Sequence, residues 1–203
     1  VVNAAGLYAD EVMHLAGVRP EFKITPQRGE YAVLDRVDIQ INNVLFPVPT
    51  EKGKGILVTA TTHGNAIIGP NSVPAKDKED SAVTGEGIQE IWEGAQKLFP
   101  HLKPTSTIAI FAGLRATGNA SSANRSVYYD NDFVVEIPDR PRGLVNLGGI
   151  ESPGLTSAPA IAKRVIDLMV DAGEKLQLKR DWNPIRPPRV HFRKLPLEEQ
   201  RKL

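Results

Sequence analysis

The chain has 203 residues, 41% of them hydrophobic and 24% charged, the balance of a polypeptide that buries a core and not of a disordered one. Its 25 Lys and Arg against 24 Asp and Glu leave a formal charge of +1, which excludes a dominant basic nucleic-acid surface or a polyanionic tail. The absence of Cys excludes disulfides, thiolate metal ligands and a Cys nucleophile in this sequence.

Residues 1–6 (Val-Val-Asn-Ala-Ala-Gly) form a β-prone run that ends in a small-residue turn. With no Met and no targeting signal, this opening is that of a buried strand, and the sequence is expected to be a piece of a longer polypeptide. Tyr8, Val12, Leu15 and Ala16 then fall at helical spacing, with Gly17 where a left-handed cap belongs. From Phe22 the period changes to two, predicting a strand through Val33 with a kink or bulge at Gly29. Residues 44–48 predict a second strand. Residues 55–62 and 66–69 predict two more, joined by a tight turn at His63-Gly64-Asn65.

Residues 70–82 are polar and turn-rich, a predicted surface loop. Ile88, Ile91, Trp92, Ala95, Leu98 and Phe99 make the apolar stripe of an amphipathic helix, with Thr84 as its N-cap and Pro100 as its stop. Residues 107–112 are almost continuously apolar and predict a strand buried on both faces. Residues 119–131 are expected to be a loop. Residues 133–137 and 144–147 are expected to be strands. A turn over residues 148–154 leads into a helix with Ala158, Ile161, Ala162, Val165 and Met169 on one face and Gly173 past its end. From Lys175 the chain is basic, proline-bearing and weakly periodic, an expected linker or arm.

The expected fold class is α/β (α+β overall), an α/β domain with an inserted antiparallel sheet. Residues 1–17 and 106–174 are assigned to the α/β part, 18–105 to the inserted sheet with one helix, and 175–203 to the arm. No apolar run approaches the ~20 residues needed to cross a bilayer, so no membrane span and a cytoplasmic location are expected.

Several residues have side chains or positions suited to chemistry. The strand–Gly–helix turn around Gly148, Gly149 and Gly154 offers unpaired N–H groups to an anion, or needs its glycines for geometry alone. Arg115 follows a predicted strand end, where it would grip a carboxylate or phosphate, or would simply be solvated. His63 at a hairpin tip could act as a base, or be a solvated turn residue. Tyr31 either faces a cavity or fills the core. His14, His101 and His191 show no metal-site spacing. Asn119-Ala120-Ser121 and Asn124-Arg125-Ser126 match glycosylation sequons and are read as chance.

Five segments occur in an order that resembles the flavin-dependent oxidoreductases of the D-amino-acid-oxidase superfamily. They are Val2-Asn3-Ala4-Ala5-Gly6-Leu7-Tyr8-Ala9, Gln27-Arg28-Gly29-Glu30-Tyr31, Val44-Leu45-Phe46-Pro47, Gly113-Leu114-Arg115 and Gly149-Ile150-Glu151-Ser152-Pro153-Gly154-Leu155-Thr156. The resemblance is to the branch with glycerol-3-phosphate and L-2-hydroxyglutarate dehydrogenases, and it covers roughly residues 1–172.

The resemblance implies an FAD-binding α/β domain with an inserted substrate sheet, and hydride transfer from a small anionic alcohol to FAD. It implies that Asn3, Ala4, Ala5, Gly6 and Gly113 lie beside the cofactor. Gly149, Ile150, Ser152, Pro153, Gly154, Leu155 and Thr156 would face the flavin pyrimidine edge. Arg115 would anchor the substrate anion, with Tyr31 and His63 in the roof and His63 as the base. Ala116 stands where the family often has Pro, and the family's Gly-x-Gly-x-x-Gly unit is not in this sequence. The piece alone is therefore expected to bind FAD weakly or not at all, with an electron-transfer partner or iron–sulfur domain outside it. An amino-acid or N-methyl-amine oxidase, and a non-catalytic interaction module, are the alternatives.

Overall fold

The computed structural model describes residues 1–36, 41–49, 54–120, 133–186 and 190–202. Two sheets organise them. The smaller has three strands, β1 (Val2–Asn3), β8 (Val145–Gly148) and β7 (Val134–Glu136), in the order β1-β8-β7. β1 runs parallel to β8, with Val2 opposite Val145 and Asn3 opposite Asn146, whereas β7 is antiparallel. Residues 143 positions apart in sequence therefore share a ladder, the signature of an insertion between them.

The larger sheet is antiparallel and built on β2 (Phe22–Leu34), which pairs along its whole length with β6 (Thr107–Ala120). The other edge of β2 carries β4 (Ala66–Gly69) and β5 (Val73–Pro74), and β3 (Leu57–Ala60) lies outside β4. Strand alternation gives this sheet two unlike faces. Phe22, Ile24, Pro26, Arg28, Glu30, Ala32 and Leu34 point to the buried one.

Helix α2 (Gly85–Leu98) covers one end of the buried face, and its predicted stripe is the one that packs. Ile91, Trp92 and Ala95 are buried against Leu34, Val58 and Ile68. Each such side chain contributes about 1.5–3 kcal/mol of burial. Thr84 caps the helix by accepting from the Gly87 N–H, as its sequence position requires. At the other end Ala9 of α1 (Ala9–Leu15) joins Phe22, Ile24, Ala116 and Val134.

Between these clusters sits a buried polar group. Glu30 is fully buried, with Arg28 Nε 3.1 Å from its Oε1. The same oxygen accepts from the Thr84 N–H and hydroxyl, and Oε2 accepts from Asn71 Nδ2 at 3.0 Å. Arg28 also donates to Asp80 at 3.0 Å.

The structure corrects several expectations. β2 has no bulge at Gly29, which pairs in register with Gly113; the irregularity lies between Val33 and Leu34. Gly29 is instead needed for Pro70, which stands 3.0 Å from where its Cβ would be. Strand β6 is not buried on both faces. It is an edge strand, so Ile108 and Ile110 remain 57% and 51% exposed. It also extends to Ala120, so the antiparallel sheet passes the boundary drawn at 105 and takes in Asn119 and Ala120, expected as loop.

Residues 121–131 of that loop, including the Asn124 sequon, lie outside the described residues. Around residues 44–48 a single bridge forms among the described residues, Leu45 to Val58. Residues 70–82 are not a free loop: they supply β5, the buried Asn71, and Lys78 and Asp80. On α1 the inward residues are Ala9, Asp10 and Met13, while Leu15 is 87% exposed. On α3 (Gly154–Asp171) only Val165 of the expected face is buried. The arm from 175 holds a short helix, α4 (Leu197–Gln200). No helix among the described residues is long and apolar enough to cross a membrane.

Two consequences are measurable. A Cβ on Gly87 would collide with Glu30 Oε2, so Gly87→Ala must displace a buried, paired carboxyl group. The expected loss is about 3 kcal/mol, read as a lower urea midpoint.

The second concerns Asp10. Burial acts to raise its pKa, but the hydrogen bond from Lys78, the Ile24 N–H, the Lys78 charge and the Glu11 N–H together hold it below 3.8. Its stabilisation is therefore full above 3.8 and is lost as pH falls through the depressed native value. The stability difference between wild type and Asp10→Asn should be constant above about pH 5 and shrink in acid. Urea titrations at several pH values would read it, and a difference that grows in acid contradicts the assignment.

Candidate functional site

The carboxyl ends of β1 and β8 lie side by side, the place in a parallel pair where loops gather around ligands. Two buried amides lock them there. Asn3 Nδ2 donates to Asn146 Oδ1 at 2.8 Å and to the Ala9 carbonyl, and Asn146 Nδ2 donates to Glu136. Beyond them, Ala4, Ala5 and Gly6 turn into a 3-10 turn (Gly6–Tyr8) before α1. Beyond β8, Gly149 adopts a φ of +63°, a conformation that favours glycine.

The Gly149 bend packs directly on β6. A Cβ on Gly118 would fall 2.9 Å from Gly149 Cα, so the two backbones meet with no side chain between them. One residue back along β6, the Thr117 hydroxyl donates to Glu151 Oε2 at 2.8 Å. Pro153 then starts α3 with no side-chain cap and no acidic residue in the first turn. The Thr156 hydroxyl donates to the Pro153 carbonyl, and Leu155 is exposed. The first turn of this helix thus carries no acidic side chain against the positive end of its dipole, although Glu151 stands in the bend just before it.

Arg115 shares a strand face with Thr117, two residues away. Its Nη2 donates to Ser72 Oγ at 2.7 Å, and its buried Nε has no hydrogen-bond partner among the described residues. Farther along the same face come Gly113 and Phe111. The Phe111 ring stacks on Tyr31, its partner in register, with centroids 4.9 Å apart and planes at 10°. Tyr31 therefore neither fills the core nor stands alone: it forms half of an aromatic wall on the open face.

Gly149 meets β6 from the buried side, at Gly118, whose ladder partner is Ile24, and Asn3 is itself buried. Gly113, Arg115 and Tyr31 belong together on the open face, which Thr117 ties to the bend through Glu151. His63 does not join them. It sits at the exposed tip of the β3–β4 hairpin, which Asn65 fastens to the Leu34 carbonyl. Arg115 lies opposite Gln27, seven strand residues away, roughly 23 Å along β2. The hairpin register, invisible in the tip itself, carries His63 to the far end of the sheet.

Sequence reading missed Ser72, Thr117, Asn146 and Phe111. Thr117 and Phe111 were accessible through the period of two from Arg115. Ser72 had no local signal. A cavity of about 650 Å³ lies elsewhere, lined by Ala16, Gly17 and residues 139–142 at the amino ends of β1 and β8, and touches none of the candidate residues. Among the described residues, no group of three or more His, Asp or Glu is placed to hold a metal ion.

Residues 1–168 match the family described as FAD dependent oxidoreductase. Among curated relatives, a glycerol 3-phosphate dehydrogenase of Caloramator mitchellensis is 38% identical over 204 residues, spanning 100% of this chain and 40% of the relative. A glycerol 3-phosphate oxidase of Mycoplasma genitalium is 37% identical, covering 91% of this chain and 45% of its own length. The chain thus spans under half the length of these relatives. Among solved structures, a dithionite-reduced L-α-glycerophosphate oxidase of Mycoplasma pneumoniae with FAD bound superposes with a TM-score of 0.76 at 31% identity. That likeness covers 93% of this chain and 47% of the other.

The tie between the bend and β6 is testable. Thr117→Val removes the hydroxyl that holds Glu151 and should cost about 1 kcal/mol. Amides of residues 149–154 should then exchange with solvent faster, while those of α2 stay unchanged.

Proposed function

The chain belongs to the family of FAD-dependent oxidoreductases, and from that premise we propose that it forms the substrate sheet and one wall of the flavin site in an enzyme oxidising a small anionic alcohol of the glycerol 3-phosphate kind. The observation that carries this reading is Arg115, with an orphaned buried Nε, on the open face that Thr117 ties to the Gly149 bend through Glu151. The glycerol 3-phosphate relatives at 38% and 37% identity support the substrate class.

The residues present suit a flavin. Gly149, at a φ of +63° and with no side chain of its own, would present bare main chain to the edge of a flat ring. The uncapped start of α3 places partial positive charge where the ring's edge would take up negative charge. Asn3, held by Asn146, would fix the turn at Ala4, Ala5 and Gly6 beside the nucleotide portion. Ile150, Ser152, Pro153 and Gly154 would shape the edge of that pocket. Bound there, the flavin supplies acceptance of a hydride from the substrate carbon.

The chain's own residues bind and orient. Arg115 would take the phosphate or carboxylate by paired N–H donors, with Ser72 limiting the guanidinium's rotation. The Tyr31–Phe111 stack would close one side of the substrate against water. An amino-acid or N-methyl-amine oxidase would use Arg115 for a carboxylate in the same way, so substrate screening of the intact enzyme separates the two readings.

In the flavin-loaded full-length enzyme, Arg115→Ala should raise KM for glycerol 3-phosphate by about 10- to 100-fold, the loss of a charge-assisted hydrogen bond. The flavin spectrum should be unchanged. An unaltered KM would remove Arg115 from substrate binding.

A further inference from the structure

A glycine in the middle of a strand weakens it, so each one asks for a reason. Within the strands, Gly29 makes room for Pro70, Gly118 for the Gly149 backbone and Gly148 for the Phe22 ring, while Gly69 has a φ of +123°. Gly113 has no such reason. Its backbone is ordinary extended strand, and a Cβ there would meet nothing within 4 Å among the described residues. Any residue could stand there without disturbing the fold described, yet the side chain is missing.

Its surroundings say what the missing side chain would obstruct. Phe111, Gly113 and Arg115 follow one another on the open face at steps of about 6.7 Å. Across the ladder the partner of Gly113 is Gly29, over which Pro70 stands. The result is a slot one residue wide, floored by the β6 backbone, with a guanidinium at one end and the stacked Tyr31 and Phe111 rings at the other.

We propose that Gly113 is a specificity-determining position whose absent side chain leaves the slot that the substrate's carbon chain occupies between Arg115 and the Tyr31–Phe111 stack. This deepens the proposed function and rests on Arg115 as the anion anchor. It limits the substrate to a short chain with a terminal anion. A bulkier group at 113 would exclude the chain while leaving the anion's own contact with Arg115 intact.

The test compares two probes on the flavin-loaded full-length enzyme: inorganic phosphate, which engages only the anion anchor, and a three-carbon phosphomonoester, which also lies in the slot. Dissociation constants are measured by titration, and thermal midpoints are recorded alongside. Gly113→Ala should melt no lower than wild type. It should bind phosphate within about twofold of wild type and the ester at least tenfold more weakly, with Gly113→Val weaker still.

Equal affinities for the ester in all three proteins would overturn the proposal. So would a parallel loss for both probes, which would mean that the anchor itself had moved. Failure of Gly113→Ala to fold would show that protein fills the space, and would overturn it equally. Arg115→Ala tests the underlying reading separately, since it should weaken both probes. If it weakens neither, the anion assignment fails, whereas the ester-selective loss at position 113 still decides the slot.

Discussion

The continuous pairing of β2 with β6 is the constraint on which the rest depends. Phe22 to Leu34 run opposite Ala120 to Thr107, so two distant stretches become one twisted ribbon with a dry face and an open face. Slipping the register by one residue would exchange the faces and bury Tyr31, Gln27 and Thr25 in place of Glu30, Arg28 and Ile24. Each candidate residue on this sheet takes its direction from that pairing. Arg115 faces outward because Ala116 packs inward, and Phe111 meets Tyr31 because Ala112 lies opposite Glu30.

A ribbon of this length could slide, and the buried polar group acts against sliding. Arg28 and Glu30 lie between two apolar clusters, and the carboxyl group has four partners from three segments. Charges so placed are seldom the most stabilising choice, since their desolvation offsets much of their attraction. The Glu30 carboxyl group, however, finds these partners in one arrangement only, although Arg28 Nε makes an ion pair without a hydrogen bond. Asn71 holds the Glu30 N–H with one atom and its side chain with another, and its neighbour Ser72 receives the Arg115 guanidinium. The buried network therefore fixes register on the dry face and, through adjacent residues, fixes a side chain on the open one.

What was legible in the sequence follows from this. The stripe from Ile88 to Phe99 needed only helical periodicity and a cap, both local, and α2 forms as read. The glycine bend after β8 was likewise legible, because Gly149 permits a positive φ and Pro153 restricts its own backbone. By contrast, the apolar run from Thr107 resembled a central strand, yet an edge position leaves Ile108 and Ile110 in solvent. Residues 70–82 read as loop because Asn71 and Asp80 find their partners over forty residues away, at Glu30 and Arg28. His63 had suitable chemistry but the wrong address. Its position depends on where a hairpin attaches to β2, and no residue near the tip records that.

The site shows the same division. Asn3, Gly6 and Gly149 could be named as candidates because motifs mark backbone turns, whereas Ser72 and Thr117 could not, because they make their contacts by reaching other segments. Arg115 stands between the two cases. Its sequence position suggested a strand end, but it lies within β6, five residues before the strand finishes. That placement changes what its charge does. At a strand end a guanidinium would be free to swing into water, whereas inside the ladder it lies along the face, with Ser72 limiting its travel and its Nε buried. An anion meeting it there would approach across the β6 backbone at Gly113. On the proposed reading, binding strength and substrate length would be set by neighbouring positions on one strand, a filter as well as an anchor.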